Sequence, residues 1–158
     1  MLVGLIETLS ALLRNKKLKL ATAESCTGGM ISSAITELSG SSDIFDRGFV
    51  TYSNEAKIEM LGVSPKTIET NGAVSEQTAY QMAQGALKNS LGDIAVSVTG
   101  IAGPSGGCPE KPVGLVYIGI TTNNGQTKVT KHVFSGDRCS VRLQTVETAI
   151  KNLISELN

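Results

Sequence analysis

Leu5, Leu9, Leu12 and Leu13 recur at the spacing of one helix face and give way to the basic run Arg14 to Lys17. The chain therefore opens with a helix whose C-terminus is met by cations. Leu18 to Ala23 is a short apolar run leading straight into Ser-Cys-Thr-Gly-Gly, and helical spacing returns from Met30 to Leu38 until Gly40 stops it. That succession predicts a strand, a glycine-rich turn and a helix. Phe49, Val50 and Tyr52 belong to a second strand, after which Ser53 or Asn54 caps a helix through Ala56, Lys57, Met60 and Leu61, ended by Gly62.

Ser75 to Leu91 has the pattern of a longer amphipathic helix with Ser75 as its cap, and Asp93 to Thr99 is a third strand. A loop dense in Gly and Pro follows it. Val113 to Thr122 and Thr127 to Ser135 flank Asn123-Asn124-Gly125, a hairpin signal because Asn and Gly accept positive φ. A last helix runs from about Asp137 to Leu157. Strands separated by helices and closed by a hairpin predict a three-layer α/β/α sandwich with a mixed, mainly parallel five-stranded sheet. In such sheets sites gather beyond the carboxyl ends of parallel strands. Three loops fall there and are expected to converge: Glu24 to Gly29, Ser53 to Lys57, and Gly100 to Gly107.

Composition narrows this picture. A length of 158 residues, 41% of them hydrophobic, suits one domain spanning 1–158. Trp is absent and aromatics are few, so aliphatic side chains must fill the core. The formal net charge is zero, which offers no basic surplus to a polyanion; nucleic acid is not an expected partner. No apolar run approaches the roughly 18 residues that span a bilayer, and the first residues lack a basic leader and cleavage site, so no membrane association and a cytoplasmic location are expected. Cys26, Cys108 and Cys139 are odd in number and lack zinc-like spacing, which argues against a disulfide framework and a metal site. The single histidine, His132, lies in an alternating stretch and is expected to be a strand residue. A Ser-His-Asp relay is therefore not expected.

The remaining chemistry lies in the loops. Glu24-Ser25-Cys26-Thr27-Gly28-Gly29 supplies hydroxyls and open amides at a helix N-terminus, suited to an anion such as phosphate, or simply a tight strand-to-helix turn. Gly100, Gly103, Gly106 and Gly107 would let backbone approach a ligand. Where a hydroxyl is the nucleophile, its proton acceptor must be Lys or Tyr, and Lys57, following the strand with Tyr52, is the best placed. Its pKa would have to fall by burial or through cationic neighbours such as Arg138 and Arg142. Lys57 as a solvated surface residue and Cys26 as a thiol nucleophile are the competing readings.

Taken together, ATAESCTGG, GSSDIFDRGFVTYSNEAK, NGAVSE, VTGIAGPSGG with KPVG after it, and FSGDR resemble the CinA C-terminal domain family over nearly the whole chain. The resemblance implies an anticodon-binding-like α/β/α topology, no metal or other cofactor, and hydrolysis of the carboxamide of nicotinamide mononucleotide to nicotinic acid mononucleotide and ammonia, in NAD recycling. It implies a Ser/Lys/Tyr type of site with Ser42 as nucleophile, Lys57 as base and Tyr52 assisting proton transfer, while Ser25 remains the rival nucleophile. Thr99, Gly100 and Gly103, the turn residues Ser25, Thr27, Gly28 and Gly29, and Arg138 with Arg142 are expected to bind the substrate. Many relatives carry a preceding molybdopterin-binding-like domain, so this chain resembles the stand-alone form. The expected partner is a small nucleotide substrate, and a homo-oligomer is compatible with the sequence. The competing function is a non-catalytic nucleotide- or partner-binding module.

Overall fold

The computed structural model describes residues 1–158. Helix α1 (Leu2–Lys16) buries Ile6, Leu9 and Leu13 along one side and ends where Lys17 turns left-handed, with Arg14 and Lys16 in its last turn. Strand β1 (Leu20–Glu24) follows, then α2 (Met30–Thr36), a 3₁₀ turn at Ser41–Asp43 and β2 (Phe45–Val50). Helices α3 (Asn54–Leu61), α4 (Pro65–Asn71) and α5 (Glu76–Lys88) lead to β3 (Ile94–Gly100). The hairpin β4 (Leu115–Thr122) and β5 (Thr127–Val133) precedes α6 (Arg138–Leu157).

The sheet order is β2-β1-β3-β4-β5. β1 runs parallel to both β2 and β3, while β4 is antiparallel to β3 and to β5, so only β4 points against the others. Alternation along the strands assigns the two faces. Leu20, Ile94, Val96, Val98, Val116, Ile118 and Ile120 join Leu9 and Leu13 of α1, Ile31 and Ile35 of α2, and Val146 and Ile150 of α6 in one core. Ala21, Ala23 and Ala95 turn the other way, against Met82 and Ala86 of α5 and Leu61 and Val63 after α3. One face is thus filled by branched aliphatic side chains. The other is lined by small ones, which lets α5 lie close: a Cβ on Gly119 would come within 2.8 Å of the Ala79 carbonyl oxygen in α5.

The chain passes from β1 through α2 on the large-residue face to β2 on one side, then returns through α3 to α5 on the small-residue face to β3 on the other side. β1 is therefore the point where the winding reverses, and the crevice beyond its carboxyl end is where a doubly wound sheet opens. Thr51 N donates to Glu24 O and Ser25 N to Val98 O, so both neighbours still grip the chain where β1 ends.

The predicted architecture is present, with local differences. β2 begins at Phe45 rather than near Phe49, because Asp46, Arg47 and Gly48 on an edge strand hide the apolar alternation. α4 buries no residue, so it leaves no hydrophobic period to read. Ser53 is the cap of α3, accepting from Ala56 N, and Ser75 caps α5 by accepting from Thr78 N.

Gly85 of α5 faces the end of α3, where an added Cβ would stand 1.9 Å from the Leu61 carbonyl oxygen. Backbone cannot give way as a flexible side chain does. Gly85→Ala is expected to lose about 2 kcal/mol of stability in urea unfolding, despite the better helix propensity of Ala.

Candidate active site

Glu24, the last residue of β1, is fully buried. Its Oε1 accepts from Thr27 Oγ1 at 2.7 Å and Ile31 N at 2.8 Å; its Oε2 accepts from Ser32 N at 3.1 Å and Ser32 Oγ at 2.9 Å. Helix α2 starts at Gly29 without a side-chain cap of its own, so this carboxylate supplies the cap from the neighbouring strand. Gly28 and Gly29, at φ 58 and 104, supply the left-handed steps that turn β1 into α2. Gly48 leaves room beside it: a Cβ there would lie 2.4 Å from Ser32 Oγ.

Lys57 comes from the first turns of α3 and is 1% exposed. Its Nζ lies 3.0 Å from Ser25 Oγ and donates to the carbonyls of Thr51 at 3.0 Å and Tyr52 at 3.2 Å, with Ser53 O at 3.5 Å. No carboxylate contacts it. Burial pushes the lysine below its ordinary value of 10.5, while nearby Cys26 and Glu55 pull weakly the other way. Of the two causes that the sequence allowed, burial or a cationic neighbour such as Arg138 or Arg142, burial is the one at work. Three oxygens thus surround Nζ, and when the amine is neutral its two N–H groups can keep Thr51 O and Tyr52 O while the lone pair accepts from the Ser25 hydroxyl.

Ser25 and Lys57 line a cavity of about 240 Å³ together with Tyr52, Asn54, Thr99 and Arg138. Cys26, Ala73, Val74, Gly100 and Ala102 complete its wall. Tyr52 is 62% exposed at the rim, and its hydroxyl oxygen accepts from Arg138 Nη2 at 3.2 Å. Arg138 Nη1 donates to Gly103 O at 2.9 Å, which ties the glycine loop to α6. Ser53 takes the cap of α3, and Asn54, the first residue of that helix, lines the cavity. Thr99 spends its hydroxyl on Ala73 O at 2.8 Å and so holds the segment before α5 against the site. A larger groove of about 490 Å³ beside α3 and α5 contains none of these groups.

Six expected site residues, Ser42, Thr27, Gly28, Gly29, Gly103 and Arg142, do not line the cavity. Ser42 is exposed in the 3₁₀ turn before β2, at the amino end of the sheet, whereas Ser25 and Lys57 follow carboxyl ends. The six residues of β2, roughly 20 Å of strand at ~3.3 Å per residue, run between Ser42 and the turn that leads to Lys57. The Thr27 hydroxyl turns into Glu24 rather than the cavity. Gly28 and Gly29 shape the turn but do not line the cavity. Arg142 donates from Nε to Cys26 O at 3.0 Å and from Nη2 to Thr27 O at 3.2 Å, and does not line the cavity either. Burial pushes the Cys26 thiol up to about 11, which leaves almost no thiolate near neutrality. Sequence reading missed Glu24 and Asn54 as site residues. The signal for Glu24 was an acidic residue ending a buried strand, where only paired charge is tolerated. No group of three or more His, Cys, Asp or Glu side chains is gathered at any point that could hold a metal.

The family model of the CinA C-terminal domain matches residues 3–157. This chain belongs to that family. It is 53% identical over 150 residues to the nicotinamide-nucleotide amidohydrolase PncC of Enterobacter agglomerans, covering 92% of each chain. A competence-damage inducible protein of Caldicellulosiruptor bescii is 54% identical over 147 residues; the match takes in 93% of this chain and 36% of that one, so the chain spans about a third of that longer relative. Among solved structures, the competence/damage inducible protein CihA of Agrobacterium tumefaciens superposes with a TM-score of 0.95 at 49% identity, covering 98% of this chain and 94% of that one. A competence or damage-inducible protein from Enterobacter asburiae gives 0.96 at 35% identity over 100% and 99%. The CinA fold is thus shared along the full sheet and both helical layers.

The buried amine yields a test of stability. Its pKa is lower in the folded than in the unfolded chain, so between the two values the unfolded state binds more protons and stability rises with pH. Lys57→Met removes that linkage. The stability of the wild type relative to Lys57→Met is expected to increase as pH rises toward 10.5 and to decline as pH falls through the folded pKa, measured by urea unfolding of both proteins at pH 7, 8.5 and 10. A difference that shrinks with rising pH would contradict the assignment.

Proposed function

We propose that this chain is a serine amidohydrolase that converts nicotinamide mononucleotide and water to nicotinic acid mononucleotide and ammonia, with Ser25 as nucleophile and Lys57 as base. The contact that carries the reading is Lys57 Nζ to Ser25 Oγ at 3.0 Å, in a site where the amine is buried and has no carboxylate partner. The substrate follows the Enterobacter relative of nearly the same length. A module that only bound nucleotide would have no use for a desolvated lysine facing a hydroxyl.

The reaction balances on these groups. Lys57 takes the Ser25 proton as Oγ bonds to the carboxamide carbon, and the tetrahedral intermediate collapses by breaking the C–N bond. The proton on Lys57 passes to the departing nitrogen, which leaves as ammonia; Tyr52, on the rim, assists that transfer. A water then attacks the acyl ester and yields its proton to Lys57. The C–Oγ bond breaks, Oγ recovers the proton, and the carboxylic acid product ionises in solution. The two carbonyls on Lys57 keep the amine aimed at Ser25 through both halves.

Arg138 stands at the mouth with two of its five N–H groups engaged, on Gly103 O and Tyr52 OH. The remaining N–H groups are free for the nucleotide phosphate. Nicotinamide riboside, which lacks that phosphate, is expected to show kcat/KM at least about tenfold lower than the mononucleotide, chiefly through KM. Equal values would remove the phosphate from recognition.

The decisive comparison is between the two serines. Ser25→Ala is expected to abolish ammonia release from nicotinamide mononucleotide, by about 10⁴-fold or more in kcat, with substrate binding retained. Ser42→Ala is expected to turn over like the wild type. The reverse pattern would return the nucleophile to the 3₁₀ turn, and inactivity of the wild-type chain would reject the substrate assignment.

A further inference from the structure

We propose that Arg142 is a positioning residue that fixes the turn after Ser25 so that the backbone N–H groups of Cys26 and Thr27 form the oxyanion pocket. The inference rests on Ser25 being the nucleophile. Around this turn nearly every backbone group is spoken for: Ser25 N donates to Val98 O, Gly28 N to Ser25 O, and Met30 N to Thr27 O, each at 3.1 Å. The N–H groups of Ile31 and Ser32 go to Glu24. Those of Cys26 and Thr27 find no acceptor on any other residue.

The planarity of the peptide unit turns these anchors into directions. In a trans peptide the C=O and the N–H point opposite ways, so holding one aims the other. Gly28 N holds the Ser25 carbonyl and thereby aims the Cys26 N–H. Arg142 Nε, at 3.0 Å, holds the Cys26 carbonyl and thereby aims the Thr27 N–H. Arg142 Nη2, at 3.2 Å, also holds the Thr27 carbonyl, which aims the Gly28 N–H back at Ser25 O. The guanidinium thus closes the chain of constraints, and its charge polarises the Cys26–Thr27 peptide in the sense that strengthens its N–H donor. Donors aimed in advance at developing charge are what an acyl-transfer site requires.

Arg142 is unsuited to be a substrate ligand. It does not line the cavity, as Arg138 does, and its guanidinium is turned to the backbone carbonyls of Cys26 and Thr27. It sits one turn beyond Arg138 on the same face of α6, so a single helix sends one arginine to the cavity rim and the next to the turn beneath it.

The test compares Arg142→Gln and Arg142→Lys with the wild type on nicotinamide mononucleotide and nicotinamide riboside, with urea unfolding alongside. kcat is expected to fall about 10²-fold on both substrates, the scale of one lost oxyanion donor, with KM nearly unchanged and the ratio between substrates preserved. A rise in KM confined to the mononucleotide would make Arg142 a phosphate ligand and overturn the proposal, as would unchanged kcat. A measurement on the wild type guards against variants that fail to fold. Phosphonylation of Ser25 by an alkyl fluorophosphonate should slow hydrogen exchange at the Cys26 and Thr27 amides, and unchanged exchange there overturns the proposal. Labelling of Ser25 without nucleotide turnover would reject the substrate alone, leaving Arg142 to be judged by labelling rates. Absence of labelling and turnover together would reject the nucleophile and the proposal with it.

Discussion

Burying a lysine amine without a carboxylate is costly, because neither water nor an opposite charge compensates the ammonium. Here the cost is met by backbone: the end of β2 turns so that the carbonyls of Thr51 and Tyr52 point at Nζ, and Ser25 Oγ takes the third direction. That arrangement needs β2 to end beside β1, needs α3 to start at once so that Lys57 falls back over the strand end, and needs Ser53 as the cap that starts it. Parallel pairing of β1 with β2 brings the serine and lysine loops to the same edge of the sheet. An antiparallel pairing would have put them at opposite ends.

The same end of the sheet is packed from both faces by unlike means. On the large-residue face, α1, α2 and α6 press branched side chains into β1, β3 and β4. On the small-residue face, Ala21, Ala23, Ala95 and Gly119 bring α5 close enough for Ser97 Oγ to donate to the Ala79 carbonyl at 2.6 Å. Thr99, two residues further along β3, makes the corresponding bond to Ala73 and carries the contact to the cavity wall. Tight packing of this kind leaves the strand ends little freedom, and the geometry of the site inherits that rigidity.

Much of the fold was legible because its signals are local. The leucines of α1, the Asn-Asn-Gly hairpin and the caps at Ser53 and Ser75 each declare themselves within a few residues. The convergence of three loops was legible too, since strand order and connection length constrain where carboxyl ends meet. The choice between Ser25 and Ser42 was not. Both are serines within three residues of a glycine, and what separates them is which end of the sheet each occupies, a fact of pairing rather than of pattern. Lys57 was legible as the candidate base from its place after the strand with Tyr52, but its burial was not: α3 has almost no apolar period, so nothing in the helix indicates that its lysine faces inward. Glu24 was read only as part of a turn, although its place at the end of a fully buried strand demanded partners.

The turn after Ser25 is held by charges of opposite sign that take no direct part in the proposed chemistry. Beneath it, the Glu24 carboxylate gathers the Thr27 hydroxyl and the first amides of α2. Across from it, the Arg142 guanidinium gathers the carbonyls of Cys26 and Thr27. The carboxylate takes donors and the guanidinium takes acceptors, so together they satisfy the polar groups that a tight, buried turn would otherwise leave unpaired. A direct Glu24–Arg142 ion pair would have neutralised both charges and satisfied none of those groups. Kept apart by the width of one turn, each charge is compensated by peptide dipoles. The dipoles left over, at Cys26 and Thr27, are those nearest the serine. The polar accounting of the turn and the electrostatics of the proposed reaction therefore have the same solution.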